Sequence, residues 1–170
     1  MREFELKEYN VFEMFINQWA LVTAGTADSF NTCTIGWGSL GTIWCGFKDT
    51  RPIVTVYVRP DRYTYEFLKK NEQFTVSFFP KEYKKALGYL GSHSGRDEDK
   101  VKVSGLTPKP IHQSITFEEA NLTFVCKKIY DAPFEWERMS DDVKKVYEDM
   151  KVDTFHCMFI GEILDVEDKR

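Results

Sequence analysis

The chain has 170 residues, a formal net charge of −4 and an aromatic content of 15%. At roughly 150 residues per domain, this length predicts a single domain over residues 1–170 that needs neither disulfides nor metal to hold a core. The acidic balance argues against nucleic-acid binding, although it leaves room for a local basic pocket that holds one small anion. No apolar run approaches the roughly 20 residues of a membrane span, and we read no secretory signal, so we expect a cytoplasmic protein without membrane contact.

Strand-like runs dominate the chain. They occupy residues 19–24, 30–37, 53–58, 74–79, 121–130 and 154–166. Helical spacing is found at residues 62–70, 81–90 and 140–150. Because strands and helices do not alternate regularly, the pattern favours an antiparallel barrel with helical insertions over a doubly wound parallel sheet.

A glycine-rich stretch, GWGSLG at residues 36–41, matches the pattern GxGxxG. A dinucleotide-binding loop of this pattern opens a helix, and a kinase loop is accompanied by HRD and DFG elements. Residues 42–52 have no helical period, and neither kinase element is present. We therefore predict a hairpin tip or a strand kink. A further interpretation is that these glycines let the backbone approach a flat ligand.

A strong strand runs directly into a helix start at residues 58–65, VRPDRYTY. Helix N-termini present unpaired N–H groups, and two arginines with a threonine in the same turn would complete a phosphate cradle. The alternative is that Arg59 and Arg62 are solvated surface charges and that Thr64 merely lies in the first helical turn.

A second polar stretch, GSHSGRDEDK at residues 91–100, offers the same two interpretations. Ser94 would cap a following helix while Gly95 exposes N–H groups to an anion, or the stretch is a solvated surface loop. His93 has no second histidine or carboxylate at metal-site spacing, so no metal site is predicted.

The cysteines and histidines indicate no hydrolytic or redox dyad. Cys33, Cys45, Cys126 and Cys157 form no CxxC pair, and we expect reduced, mostly buried thiols. His156 precedes Cys157 in a strand, where neighbouring side chains point to opposite faces. No GxSxG elbow is present.

Six stretches occur in an order that is informative as a set. They are WALVT (19–23), FNTCTIGW (30–37), VRPDRYTYE (58–66), SFFP (77–80), SGRDEDK (94–100), and His156 with Gly161 and Glu162. Together they resemble the flavin reductase-like, FMN-binding split-barrel family, in its flavoredoxin branch. The resemblance implies a mainly β fold with some α, a six-stranded antiparallel Greek-key split β-barrel with flanking helices. It also implies a homodimer with one FMN in each subunit.

The resemblance also implies a set of site residues. Arg59, Arg62, Tyr63 and Thr64 would hold the FMN phosphate. The ring would be lined by Asn31, Thr32, Cys33 and Thr34 and by Ser77, Phe78 and Phe79. The phosphate, ribityl chain or ring edge would be contacted by Ser94, Gly95, Arg96 and Lys100, with Arg96 or Lys100 as the cation near the pyrimidine end. His156 matches a position on the flavin and nicotinamide side and is the predicted catalytic residue.

The function implied is that of a flavoprotein oxidoreductase, in which the cofactor performs the hydride and electron chemistry and the protein positions it. One hypothesis is a flavin reductase in which NADH or NADPH passes hydride to the flavin N5. A second is an FMN electron-transfer protein reduced by a redox protein partner. A third is a non-catalytic split barrel that binds another ring ligand. Aromatic walls for a ring could come from Trp37, Trp44, Phe78 or Phe79, although the same residues also suit a β core.

Overall fold

The computed structural model describes residues 4–5, 7–44 and 51–170. Its strands are β1 (Ala20–Thr26), β2 (Ser29–Ile35), β3 (Gly38–Thr42), β4 (Pro52–Val58), β5 (Gln73–Phe78), β6 (Pro108–Ile111), β7 (Ser114–Phe117), β8 (Leu122–Pro133) and β9 (Cys157–Asp168). Its α-helices are α1 (Val11–Glu13), α2 (Tyr63–Lys70), α3 (Lys84–Ser92), α4 (Lys100–Ser104) and α5 (Asp141–Met150). A π-helical turn (Met14–Gln18) follows α1, and 3₁₀ turns lie at Lys81–Tyr83 and Trp136–Arg138.

Among the described residues, seven strands form one antiparallel sheet in the order β2-β1-β5-β8-β9-β4-β3. The β6–β7 hairpin forms a separate two-stranded sheet. The predicted antiparallel, mainly β class with flanking helices is therefore confirmed. The predicted count of six strands is corrected to seven in the main sheet, because β3 adds an edge strand beside β4.

Both faces of the sheet are covered at β1, β4 and β5, which explains why the sequences of these strands are continuous apolar runs. In β1, Ala20 and Val22 pack in the main core, while Leu21 packs in a second core with Leu87 and Leu90 of α3. Successive side chains of a strand point to opposite faces, so a strand covered on both sides shows no polar alternation. The long strands β8 and β9 bend at register shifts between Val125 and Cys126 and between Lys128 and Tyr130.

The glycine-rich stretch forms part of edge strand β3 and does not open a helix, so the rejection of a dinucleotide loop is confirmed. Gly38 is required by packing, because a Cβ there would lie 2.3 Å from Cε1 of Phe15. β3, the β6–β7 hairpin, α1 and α4 are not predicted from the sequence, and each of these strands and helices is only three to five residues long.

Cys33, Cys126 and Cys157 are buried free thiols, as expected, and Cys45 lies outside the described residues. In the described part of the chain, no helix is long and apolar enough to cross a membrane. No group of three or more histidine, cysteine, aspartate or glutamate side chains in that part is arranged to hold a metal ion.

Gly161 of β9 provides a test of the core. A Cβ at this buried glycine would lie 2.5 Å from Cζ of Phe74 and 2.6 Å from Cβ of Cys126. We expect Gly161→Ala to lower the free energy of unfolding by about 1–3 kcal/mol, as overpacking does. The matched control is Gly41→Ala in β3, where a Cβ would meet nothing within 4 Å. Urea unfolding of both variants measures the difference, and equal stability would contradict the described packing.

Candidate functional site

The turn between β4 and α2 presents unpaired backbone donors. Arg62 is the N-cap residue of α2 and makes no side-chain hydrogen bond to the helix. The first N–H groups of an α-helix have no intrahelical acceptor, and the helix dipole adds partial positive charge there. The backbone N–H of Arg62 donates to the carbonyl oxygen of Arg59, at 3.1 Å, and this hydrogen bond closes the turn. An anion placed at this turn would therefore meet both N–H donors and guanidinium groups.

The two arginines of this turn are held by the protein. Nη1 of Arg62 donates to the carbonyl of Gly91 in α3, at 2.8 Å. The side chain of Arg59 is only 12% exposed, and its Nη2 lies 3.1 Å from Oδ2 of Asp61. This arrangement differs from the surface-charge alternative, because both guanidinium groups are oriented by contacts and line cavities.

Lys100 is the most unusual charged residue of the site. Only 4% of this residue is exposed, and its Nζ donates to the carbonyls of Leu90 and His93, both at 2.9 Å. Among the described residues, neither Lys100 nor Arg62 forms an ion pair with a carboxylate. Burial lowers the pKa of Lys100. Buried charges are normally paired or neutralised, so the buried Lys100 beside the half-buried Arg62 favours an anionic occupant of the cavity they share.

These cations line a cavity of about 170 Å³ between the β4–α2 turn, the end of α3 and strand β2. It brings together seven of the predicted site residues, namely Cys33, Arg59, Arg62, Tyr63, Thr64, Ser94 and Lys100. Asp61, Ser92 and His93 complete its lining. The turn at residues 58–65 and the loop at residues 91–100 therefore meet in space.

A polar bond connects β2 to α2 beneath this cavity. The buried Thr64 hydroxyl donates to Oδ1 of Asn31, at 2.9 Å. Gly95 packs against the same amide, since a Cβ there would lie 2.1 Å from Nδ2 of Asn31. Asn31, Gly95, Arg96 and Lys100 also line a larger groove of about 860 Å³ beside α4 and β6. Asn31 thus holds the turn, the loop and the sheet together.

Arg96 differs from Lys100 in being neutralised within the protein. Its guanidinium pairs with Glu66, donates to the carbonyl of Asp61 at 3.2 Å, and lies 4.7 Å over the Tyr63 ring. Lys100, by contrast, forms no ion pair among the described residues and lines the same cavity as Arg62, so of the two predicted positions it lies with the phosphate candidates.

A second cavity of about 140 Å³ adjoins the first, with which it shares Cys33, Arg59 and Arg62. His156 lies in its wall, and the His156 and Trp37 rings lie 4.4 Å apart between centroids. Thr34 also lines this cavity, while its hydroxyl donates to the Leu87 carbonyl. Tyr57 and Met150, which the sequence analysis did not single out, complete the wall beside His156.

His156 is neutral at ordinary pH. Burial and the nearby positive charges of Arg59 and Arg62 lower its pKa from 6.5 to about 4, against an opposing effect of Asp61. Its Nδ1 lies 2.8 Å from the hydroxyl of Tyr147, a residue of α5 that is 3% exposed. Tyr147 is not among the predicted site residues, although its place on the apolar side of a helix just before His156 is a usable signal.

An apolar groove of about 620 Å³ continues from this second cavity, with which it shares Gly36, Trp37 and Tyr57. Its walls include Phe12, Phe15, Ile16, Leu40 and Phe134. The site therefore runs from a basic end, past His156 and Trp37, to an apolar end.

Four residues predicted to line the ring lie outside the cavities around Arg62. Thr32 is buried, and its hydroxyl bonds to the Thr23 hydroxyl at 2.8 Å and the Val22 carbonyl at 3.1 Å. Ser77 bonds to Thr116 of the β6–β7 hairpin, and Phe78 packs in the main core. Phe79 lies in the second core and lines a separate cavity of about 410 Å³. Neighbouring side chains of a strand point to opposite faces, so Ser77 and Phe78 are covered on different sides of β5. Trp44, named as a wall, instead contacts Tyr130.

The fold and the site together define an antiparallel β protein with a basic cavity that opens onto an aromatic, apolar groove. The family model of the flavin reductase-like domain matches residues 12–170, and the chain belongs to this family. A search of curated proteins found no match.

Solved structures agree with this assignment. Flavoredoxin of Desulfovibrio vulgaris (Miyazaki F) is 27% identical, with a TM-score of 0.64 over 88% of this chain and 68% of that one. An FMN-binding protein from Thermus thermophilus is 21% identical, with a TM-score of 0.68 over 99% and 81% of the two chains. A structure from Shewanella frigidimarina NCIMB 400, described as a flavin reductase with a split barrel domain, is 18% identical, with a TM-score of 0.64 over 95% and 75%. The split-barrel fold predicted from the sequence is therefore confirmed.

The lowered pKa of His156 predicts a pH dependence of stability. In the unfolded chain the imidazole binds a proton near pH 6.5, whereas in the folded protein it does so only near pH 4. The stabilising contribution is therefore present above pH 6.5 and is lost as the pH falls toward 4. We expect this loss to be about 1–2 kcal/mol, allowing for solvent screening of a half-buried ring.

Urea unfolding of the wild type and of His156→Gln across this pH range measures the effect. The Gln variant should lack this part of the acid-induced loss. The matched control is His112→Gln, because His112 is exposed and bonds to Asp165 outside the cavities. A His156→Gln variant that is destabilised by acid as steeply as the wild type would contradict the assignment.

Proposed function

We propose that the protein is an FMN-binding oxidoreductase whose basic cavity holds the FMN phosphate. The observation that carries the proposal is the pair of cations, Arg62 and Lys100, that line this cavity without a carboxylate partner among the described residues. A dianionic phosphate would supply the missing charge, and the α2 N-terminus would add N–H donors. In a chain of net charge −4, such a local concentration of cations requires a specific reason.

The remaining spaces suit the rest of the cofactor. The second cavity and the apolar groove follow directly from the basic cavity, and Trp37, Tyr57 and Phe134 offer flat walls. Cys33, buried between the two cavities, provides a small apolar contact, because burial raises the pKa of its thiol and keeps it protonated. When bound, FMN would supply the hydride and electron chemistry, for which the described site offers no acid–base dyad of its own.

NADH or NADPH is the electron donor we propose, which makes the protein a flavin reductase. The support is space, since the apolar groove beside Trp37 and His156 leaves room for a second flat group. The alternative is an FMN electron-transfer protein reduced by a redox protein, which the 27% identity to a flavoredoxin favours. A non-catalytic barrel that binds another ring ligand remains a third candidate.

We also propose that two copies associate through the face around the apolar groove. Phe12 and Ile16 are 79% and 63% exposed there, beside the half-exposed Trp37. A contiguous apolar patch of this kind is characteristic of an interface. Sedimentation equilibrium should give the mass of two chains, and the mass of one chain would contradict the proposal.

Replacing Arg62 tests the phosphate assignment. We expect Arg62→Ala to weaken FMN binding by about 1.5–3 kcal/mol, because a charge-assisted bond to phosphate is lost. Titration of flavin fluorescence measures the affinity. Arg138→Ala is the control, since Arg138 pairs with Glu135 at the surface with its side chain 79% exposed. Unchanged affinity for FMN in a folded Arg62→Ala variant would contradict the phosphate assignment and support the alternative that Arg62 is a solvated surface charge.

Stopped-flow absorbance separates the candidate functions. We expect NADH or NADPH to bleach the FMN-loaded protein rapidly, and His156→Ala to slow this bleaching by about tenfold while FMN stays bound. Bleaching that requires a redox protein would favour the electron-transfer alternative. A purified protein that gains no yellow absorbance with added FMN would favour the non-catalytic barrel.

A further inference from the structure

The contact between α5 and the start of β9 determines which ring nitrogen of His156 carries the proton. The proposed function alone does not determine this. The Tyr147 hydroxyl lies 2.8 Å from Nδ1 of His156, and the backbone N–H of His156 donates to the same hydroxyl oxygen, at 3.5 Å. The hydroxyl oxygen therefore already accepts a hydrogen bond from the backbone.

The hydroxyl hydrogen of Tyr147 needs an acceptor, because Tyr147 is only 3% exposed. Among the described residues, its hydroxyl has no hydrogen-bond partner other than His156. If Nδ1 carried a hydrogen and donated it to the hydroxyl, the hydroxyl hydrogen would be buried without a partner, which is costly. The satisfied arrangement has Tyr147 donating to a bare Nδ1.

The proton of the neutral imidazole then resides on the other ring nitrogen, Nε2. The described residues offer Nε2 no hydrogen-bond partner, and His156 lines the cavity that Trp37, Met150, Arg59 and Arg62 also line. Burial and the two arginines keep the ring neutral, as described above. The ring therefore has a free N–H on its unbonded side.

We infer that Tyr147 is a positioning residue that fixes His156 in the Nε2–H tautomer, so that the imidazole serves the cavity as a hydrogen-bond donor. The acceptor it suits is a carbonyl or amide oxygen of a flat ligand. His156 then stabilises charge that develops on such an oxygen, without transferring its own proton. The role of His156 as a hydrogen-bond donor in the reaction rests on the proposed function, whereas the assignment of its tautomer does not depend on that function.

Nitrogen NMR of the uniformly ¹⁵N-labelled full chain tests the tautomer without any ligand. In the wild type, long-range ¹H–¹⁵N spectra should show Nδ1 of His156 as a pyridine-type nitrogen and Nε2 as a pyrrole-type nitrogen. In Tyr147→Phe, which keeps the ring but removes the hydroxyl, the two signals should move toward a mixture of tautomers. The signals of His93 and His112 report whether the fold is retained.

The control variant is Tyr89→Phe, which removes a hydroxyl that donates to Glu98 at 2.8 Å and should leave the His156 signals unchanged. A wild type whose Nδ1 is of the pyrrole type overturns the inference. A folded Tyr147→Phe variant whose His156 retains the full Nε2–H pattern overturns it as well.

Substitution of His156 itself tests the donor role. The side-chain amide of Gln places an N–H group near the position of Nε2, whereas Asn places one near Nδ1. We expect His156→Gln to keep a higher rate of flavin reduction than His156→Asn, which should lose about tenfold in kcat with little change in FMN affinity. A Gln variant as slow as the Asn variant overturns the donor role. If neither nicotinamide reduces the wild type, the proposal of a flavin reductase fails, while the NMR result still decides the tautomer.

Discussion

The site depends on two cations, Lys100 and Arg62, that line one cavity and form no ion pair among the described residues. Both donate to backbone carbonyls at the end of α3, which fixes their orientation. Carbonyl dipoles compensate a cation only in part, and the cost of burial falls when an anion enters. The cavity around Arg62 therefore favours an anionic ligand before any ligand binds.

The sequence alone indicated the turn between β4 and α2, because the residues that form it are close together in the chain. The strand that ends at Val58, the helix that starts at Tyr63 and the two arginines between them lie within a few residues of one another. The burial of Lys100 was not deducible from such signals, since the loop at residues 91–100 had two interpretations. Its buried state requires the carbonyls of Leu90 and His93, which the packing of α3 against β2 positions.

The burial of Thr32, Ser77, Phe78 and Phe79 away from the cavities around Arg62 has a physical explanation of the same kind. Alternation along β5 shows that Ser77 and Phe78 face opposite sides, but it does not show what covers each side. The β6–β7 hairpin, which the sequence analysis missed, covers the face of Ser77, and the main core takes Phe78. β3 escaped notice for a related reason, since a glycine-rich edge strand has little strand propensity and is defined by its pairing with β4.

The attachment of α5 has a consequence for regulation. Within the described helix, Tyr147 is the buried residue, while Val143, Val146 and Met150 stay 40–46% exposed along one side. The side chain that anchors the helix is thus the same one that contacts the imidazole of His156. A displacement of this helix, or a molecule bound on its exposed side, would therefore act on the imidazole through Tyr147.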